Sequence, residues 1–144
     1  MENCSTDLRL IVPVNYDVFV GMDVDKRSIA LTSMDHLGLS KSVKMNYEAD
    51  GVLSYIRGRY PGRRVAFVYE AGPTGFGLHD NIIDAGFPCL VVSPASVPTA
   101  RGKRVKTNRL DSIKLADLLR GGQLSGIRVP SQKYRDLRDL THTT

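Results

Sequence analysis

The chain has 144 residues, of which 42% are hydrophobic, 24% charged and 7% aromatic. These values are typical of one globular domain, and a chain of this length buries enough surface to fold without a disulfide framework or a structural metal. Lysine and arginine outnumber aspartate and glutamate by 20 to 15, a formal net charge of +5 that is consistent with an anionic partner.

The same composition argues against a membrane or secreted protein. No apolar run approaches the roughly 18 residues of a membrane helix, and the first fifteen residues mix charges with Pro13 in a way that no signal peptide does. The two cysteines, Cys4 and Cys89, match neither a disulfide framework nor a metal-ligand spacing. We therefore expect a soluble, cytoplasmic protein with no membrane partner.

The first half of the chain predicts an antiparallel meander. Residues 1–15 show no sustained period and are predicted to form a loose N-terminal arm. Residues 16–24 and 29–34 are apolar and rich in β-branched residues, which predicts two buried strands, and residues 39–45 alternate, which predicts a third. The turn-forming residues 35–38 favour a hairpin between the last two, with the third strand at or near an edge.

A helix and a parallel crossover are predicted next. The helix has about a dozen residues, with Asn46 as its candidate N-cap and Pro61 at its end. Residues 64–69 and 88–92 are short apolar runs on either side of a helical segment at residues 76–85. Strand, helix and strand in this order form a right-handed parallel crossover, so the sheet is predicted to be mixed.

The last third of the chain is predicted to be helical after a basic segment. Residues 94–109 are polar and basic without an apolar period, and residues 110–119 have the spacing of an amphipathic helix. Another helix is predicted at residues 131–141. We assign residues 16–122 to the folded domain and residues 123–144 to the start of a helical linker.

Three acidic residues stand at the ends of predicted elements. Asp23 is near the end of the first strand, Glu70 ends the fourth, and Asp111 opens the amphipathic helix. Alternation puts Asp23 on the same face as Phe19 and Gly21, where a buried charge must be paired or must bind a cation. Three or four carboxylates can hold two divalent cations that promote phosphodiester cleavage.

Each acid also has a structural interpretation. Asp23 is at a position where an aspartate often begins a turn. Glu70 precedes a helical segment that it could cap, and Asp111 has the charge that complements a helix dipole at its N-terminal end.

Three blocks around these acids resemble the motifs of one family. Residues 21–26 (GMDVDK) resemble its G-x-D-V-x-K motif, residues 69–75 (YEAGPTG) its Y-E-A-x-x-x-G motif, and residues 105–116 (VKTNRLDSIKLA) its K-T-D-x-x-D-A…L-A motif. The family is the DEDD transposases of insertion sequence family 110, which includes the Piv-type DNA invertases. The resemblance covers about residues 18–119 and implies an α/β, ribonuclease H-like (Holliday-junction-resolvase-like) fold, a mixed sheet with flanking helices.

The resemblance also implies an activity and a site. In this family, four acids bind magnesium and act in DNA strand cleavage and exchange with a serine from a separate C-terminal domain. Carried over by motif, the acids are Asp23, Glu70 and Asp111, while Asn108 occupies the third of the four positions. An amide oxygen can ligate Mg²⁺ or Mn²⁺ but adds no negative charge, so one metal is expected to bind more weakly. The implied partners are DNA, a structured guide RNA encoded by the element, and further copies of the full-length protein.

A basic segment precedes Asp111. Its five cations, without an intervening acid, are Arg101, Lys103, Arg104, Lys106 and Arg109. Such a run is ordinarily a solvated surface. Beside acids that require a scissile phosphate, it is better interpreted as a contact to nucleic acid.

Other functions remain open from the sequence. The 25 residues after Leu119 are too few for the serine domain, so we expect the N-terminal catalytic domain of a longer transposase, unable to complete recombination alone. The neutral Asn108 favours an alternative, a noncatalytic nucleic-acid-binding module derived from such a transposase. Half of an actin-like ATPase or sugar kinase is disfavoured, because Asp25-Lys26-Arg27 follows Asp23 where those folds need a glycine-rich turn. The three histidines have no metal spacing and are expected to be exposed or incidental.

Overall fold

The structure, a computed structural model, describes residues 10–72, 74–93 and 111–129. Its elements are a short 3-10 turn (Pro13–Asn15), β1 (Val18–Val24), β2 (Ser28–Asp35), β3 (Ser40–Asn46), α1 (Ala49–Arg59), β4 (Val65–Glu70), α2 (Gly77–Asp84), β5 (Cys89–Val92) and α3 (Ser112–Arg120). Within these ranges, no helix is long and apolar enough to cross a membrane.

The five strands form one mixed sheet in the order β3-β2-β1-β4-β5. β1, β2 and β3 pair as an antiparallel meander, while β4 pairs in parallel with both β1 and β5. This arrangement, with helices on both faces, confirms the predicted α/β mixed sheet with flanking helices. β3 is an edge strand, as its alternating sequence predicted.

The start of α1 differs from the sequence prediction. Asn46, the predicted N-cap, pairs with Ser28 as the last residue of β3, and the N-cap of α1 is Glu48. The hydrogen-bonded ladder with β2 holds Asn46 in extended conformation, which outweighs its local preference for capping a helix.

The sheet separates two apolar layers. On one face, alternate residues of β1 and β4 such as Val20 and Phe67 pack with α1 and α2. On the other face, their neighbours Phe19, Ala66 and Val68 pack with α3. All six residues of β4 are buried, as expected for a strand covered on both faces.

The packed unit extends beyond residues 16–122 on both sides. Ile11, in the predicted loose arm, is 3% exposed, and Leu124, in the predicted linker, is also 3% exposed; both join the apolar layer beneath α3. Leu10 and Ser125 form an isolated antiparallel bridge. The Ile127 N–H donates to the Val91 oxygen at 2.7 Å, which covers part of the β5 edge. The predicted helix at residues 131–141 lies outside the described residues.

Candidate functional site

Asp23 and Glu70 lie side by side at the carboxyl ends of β1 and β4. The parallel ladder pairs Met22 with Tyr69, and the same register continued by one residue sets Asp23 beside Glu70. Neighbouring strands are about 4.8 Å apart. Strand alternation turns both side chains toward the face that carries α3. Two of the acids identified from the sequence are therefore neighbours on one face of the sheet.

The two carboxyl groups differ in their exposure. Glu70 is 8% exposed, and Asp23 is partly buried. Burial of a carboxylate is costly unless hydrogen bonds or a cation compensate for the lost hydration. Because two negative charges at this separation repel each other, a cation held between them would be stabilised by both.

Gly21 allows α3 to pass over β1 in direct backbone contact. A Cβ atom at Gly21 would lie 2.4 Å from the Ser112 backbone oxygen, 2.5 Å from the Ala116 backbone nitrogen and 2.9 Å from the Leu115 Cβ. These distances are too short for any side chain, so the packing requires glycine here. The contact fixes the first turn of α3 two residues along β1 from Asp23.

A buried chain of hydroxyl groups also fixes the start of α3. The Ser112 and Thr32 side chains hydrogen-bond at 2.8 Å, and Thr32 hydrogen-bonds in turn to Ser42 at 2.8 Å. Thr32 is the residue of β2 that pairs with Gly21. The first residue of α3 is thus held against β1 by backbone contact and against β2 by a hydrogen bond.

Asp111 directly precedes this turn and is the N-cap of α3. Its Oδ1 accepts a hydrogen bond from the Lys114 backbone N–H at 2.8 Å, and the residue is exposed. This is a structural role, because an N-cap satisfies one of the helix's unpaired N–H groups. Among the described residues, no three acidic, histidine or cysteine side chains are placed to hold one metal ion. That Asp111 joins Asp23 and Glu70 as a ligand stays a prediction.

The remaining site residues identified from the sequence lie outside the described residues. They are Arg101, Lys103, Arg104, Lys106, Asn108 and Arg109. Their assignment to metal or nucleic-acid binding also stays a prediction.

The role of Tyr69, the residue before Glu70, was not predicted from the sequence. Its hydroxyl donates to the Gly75 backbone oxygen and accepts from the His79 backbone N–H, both at 3.3 Å. Burial, more than any neighbouring group, raises the pKa of Tyr69 well above its ordinary value, so the hydroxyl stays protonated. Tyr69 therefore ties the segment that follows Glu70 to the start of α2. The tyrosine of the Y-E-A motif was the available signal.

His79 also differs from its expected exposure. Its side chain is 12% exposed, and Nδ1 lies 3.4 Å from Asp80 Oδ1. His79 is therefore not exposed, because the first turn of α2 packs toward the sheet, and that it is incidental stays a prediction.

Comparison with known proteins identifies the family. The model of the DEDD transposases of insertion sequence family 110, whose description is "Transposase", matches residues 20–144. This chain belongs to that family. The transposase y4qE of Sinorhizobium fredii (strain NBRC 101917 / NGR234) is 38% identical in a 131-residue alignment that covers 86% of this chain and 33% of that protein. The transposase for insertion sequence element IS1533 of Leptospira borgpetersenii is 28% identical in a 110-residue alignment that covers 74% of this chain and 32% of that protein. The chain spans about a third of the length of these curated relatives.

Solved structures are more remote. Thermus thermophilus RuvC, in complex with a Holliday junction substrate, aligns with a TM-score of 0.40 and 14% identity over 76% of this chain and 99% of RuvC. The large terminase nuclease of the thermophilic phage G20c, with bound zinc, aligns with a TM-score of 0.42 and 17% identity over 96% of this chain and 79% of the nuclease. At such low similarity, the chemistry of the site must be understood from this chain's own residues.

Proposed function

We propose that this chain is the metal-dependent catalytic domain of a DNA transposase, which cleaves and exchanges DNA strands by phosphodiester transfer. The observation that carries the proposal is the adjacency of Asp23 and Glu70 at the ends of two parallel strands, on the face where α3 begins. Membership of the transposase family supports DNA transposition as the process that the domain serves.

The donor set suits a hard divalent cation. Carboxylate oxygens are the ligands that Mg²⁺ and Mn²⁺ prefer, and we assign Asp23 and Glu70 as the pair that would hold the ion. Asp111 and Asn108 would complete the ligand set. A bound cation would supply Lewis-acid stabilisation of a phosphoryl oxygen and would activate a hydroxyl or water.

The protein's own contribution is positioning. Asp23 and Glu70 are fixed by the parallel ladder, and the backbone contact at Gly21 fixes the start of α3 beside them. The low exposure of Glu70 strengthens its electrostatic interactions, because less water screens them.

Nucleic-acid contacts complete the proposal. The five cations of residues 101–109 would bind phosphates near the acids. DNA and a structured guide RNA are the proposed partners, and the full-length protein is proposed to act as a homo-oligomer in the cytoplasm. The family's nucleophilic serine would come from a part of the relatives that this chain does not span.

Metal titration tests the proposal. We expect calorimetry to detect Mn²⁺ binding to the wild-type chain, and the variants Asp23→Asn and Glu70→Gln to weaken it at least tenfold, since each removes a full charge about 4 Å or less from the ion. Asp25→Asn is the matched control, because Asp25 is exposed and its Oδ1 accepts from the Lys26 N–H. Unchanged affinity in both site variants would contradict metal binding at this pair.

One observation favours the alternative of a noncatalytic nucleic-acid-binding module. The Asp111 carboxylate is engaged with its own helix, and the described residues contain no three-ligand group. Under this alternative, Asp23→Asn leaves both metal and DNA affinity unchanged.

A further inference from the structure

Four exposed arginines lie at the end of the sheet where β4 begins. Two end α1 and two lead into β4, and we refer to them together as the arginine patch: Arg57, Arg59, Arg63 and Arg64. The five steps along β4 from Val65 to Glu70 cover about 17 Å at 3.3 Å per residue. The arginine patch is therefore at the opposite end of the sheet from the acid pair.

A tight turn gathers the arginine patch. The Arg63 N–H donates to the Tyr60 oxygen at 3.2 Å, and the turn between them contains Pro61 and then Gly62 at a φ of 73°. Proline followed by glycine at positive φ is typical of a type II turn, which reverses the chain. Arg59 and Arg63 consequently flank the same reversal.

Aromatic rings hold two of the guanidinium groups. The Arg57 guanidinium carbon is 5.9 Å from the centre of the Phe87 ring, and that of Arg59 is 5.6 Å from the centre of the Tyr60 ring. The Tyr60 hydroxyl is itself anchored by a 2.7 Å hydrogen bond to the Ser33 hydroxyl. Side chains ordered in this way lose less conformational entropy when they bind a ligand.

Most of the charge in the arginine patch is not neutralised locally. Arg64 pairs with Asp17, with Nη2 and Oδ1 3.4 Å apart. In the part of the chain that the structure describes, Arg57, Arg59 and Arg63 form no ion pair with a carboxylate. A guanidinium presents a planar fork of donors that matches phosphate oxygens, which makes arginine the preferred residue for this recognition.

We propose that the arginine patch binds the phosphate backbone of a nucleic-acid segment other than the one that reaches Asp23 and Glu70. Ser33 lies on β2 and Phe87 just precedes β5, so the residues that anchor the two arginines are about three strand spacings, or about 14 Å, apart. The charge and ordering of the patch fit several phosphates, and they require neither a metal ion nor the acid pair.

The salt dependence of binding tests this assignment. Fluorescence anisotropy in EDTA, over about 50–200 mM salt, would compare the wild-type chain with Arg57→Gln/Arg63→Gln on a labelled DNA duplex and on a labelled RNA stem-loop. Each lost phosphate contact lowers the slope of log affinity against log salt by about 0.9 on duplex DNA and about 0.7 on single strands. We expect the double variant to lower the slope by about 1.4–1.8 on at least one ligand, and the ligand affected identifies the segment that binds.

Two further variants distinguish phosphate contacts made by the arginine patch from a general effect of the protein's net charge. Lys41→Gln/Lys44→Gln removes the same charge from the exposed edge strand β3 and should leave the slope nearly unchanged. Arg57→Lys/Arg63→Lys should restore the slope, because the charge returns. An unchanged slope in the glutamine variant on both ligands, or an equal loss in the β3 control, would overturn the proposal. Because EDTA removes divalent cations, this result does not depend on metal binding at Asp23 and Glu70, which the metal titration tests.

Discussion

Replacement of Gly21 by alanine tests how α3 is positioned beside the acids. The added Cβ would lie 2.4 Å from the Ser112 oxygen, about 1 Å closer than the 3.4 Å at which ordinary contact begins, so α3 must move away from β1 by about that distance. Overpacking of this kind costs about 1–3 kcal/mol. The shift would also lengthen the 2.8 Å Ser112–Thr32 hydrogen bond beyond bonding distance, at about 1 kcal/mol.

A smaller opposing effect comes from the unfolded chain. Alanine restricts it relative to glycine and returns about 0.4–1 kcal/mol. The net expectation for Gly21→Ala is a loss of about 2 kcal/mol in the free energy of unfolding, measured by urea denaturation. Gly58→Ala is the control, because nothing lies within 4 Å of its added Cβ, and in α1 it should stabilise by up to about 1 kcal/mol. If Gly21→Ala is as stable as the wild type, α3 does not contact β1 as described.

Two further predictions concern Asp111 and Asp17. Asp111→Ala should cost about 1 kcal/mol of stability through loss of the α3 cap, whereas Asp111→Ser should keep the cap, as measured by urea denaturation. If Asp111 also binds metal, Asp111→Ser will restore the stability but not the Mn²⁺ affinity measured by titration. Equal Mn²⁺ affinity in wild type and both variants would exclude Asp111 as a ligand. Hydrogen bonds from Arg64, first from its backbone N–H, hold the pKa of Asp17 below its usual 3.8. The contribution of Asp17 to stability is therefore present above about pH 4 and is lost as the pH falls further. Asp17→Asn should make the thermal stability less dependent on pH in that acidic range. If the wild type and Asp17→Asn show the same dependence of thermal stability on pH, the pairing is refuted.

Much of the fold could be predicted because local patterns determine it. The apolar runs that became β1, β4 and β5 are short and rich in β-branched residues, and glycine and proline punctuate them. The helix–strand boundary at Asn46 could not be located, because the ladder with Ser28 depends on a strand distant in sequence. Ile11 and Leu124 could not be assigned to the core, since segments this short show no period.

The sequence pointed to candidate site residues but not to their geometry. Motifs indicated Asp23 and Glu70, yet their adjacency depends on β1 and β4 being neighbours in the sheet, which no local pattern specifies. A glycine within a strand can mark a bulge, a bend or the close approach of another backbone. The contact with α3 shows that Gly21 marks a close approach. The position of Asp111 at a helix start was predicted, because a carboxylate there complements the helix dipole, but its side-chain hydrogen bond to the Lys114 N–H was not.

The most direct test of the central claim is a crystal structure of this chain with Mn²⁺, with the metal located by its anomalous scattering. We expect a peak between the carboxylates of Asp23 and Glu70, with oxygen–metal distances of about 2.1 Å. Mn²⁺ bound elsewhere, or no peak at this pair at a saturating concentration, would contradict the assignment of these two residues as the metal-binding pair of the transposase domain.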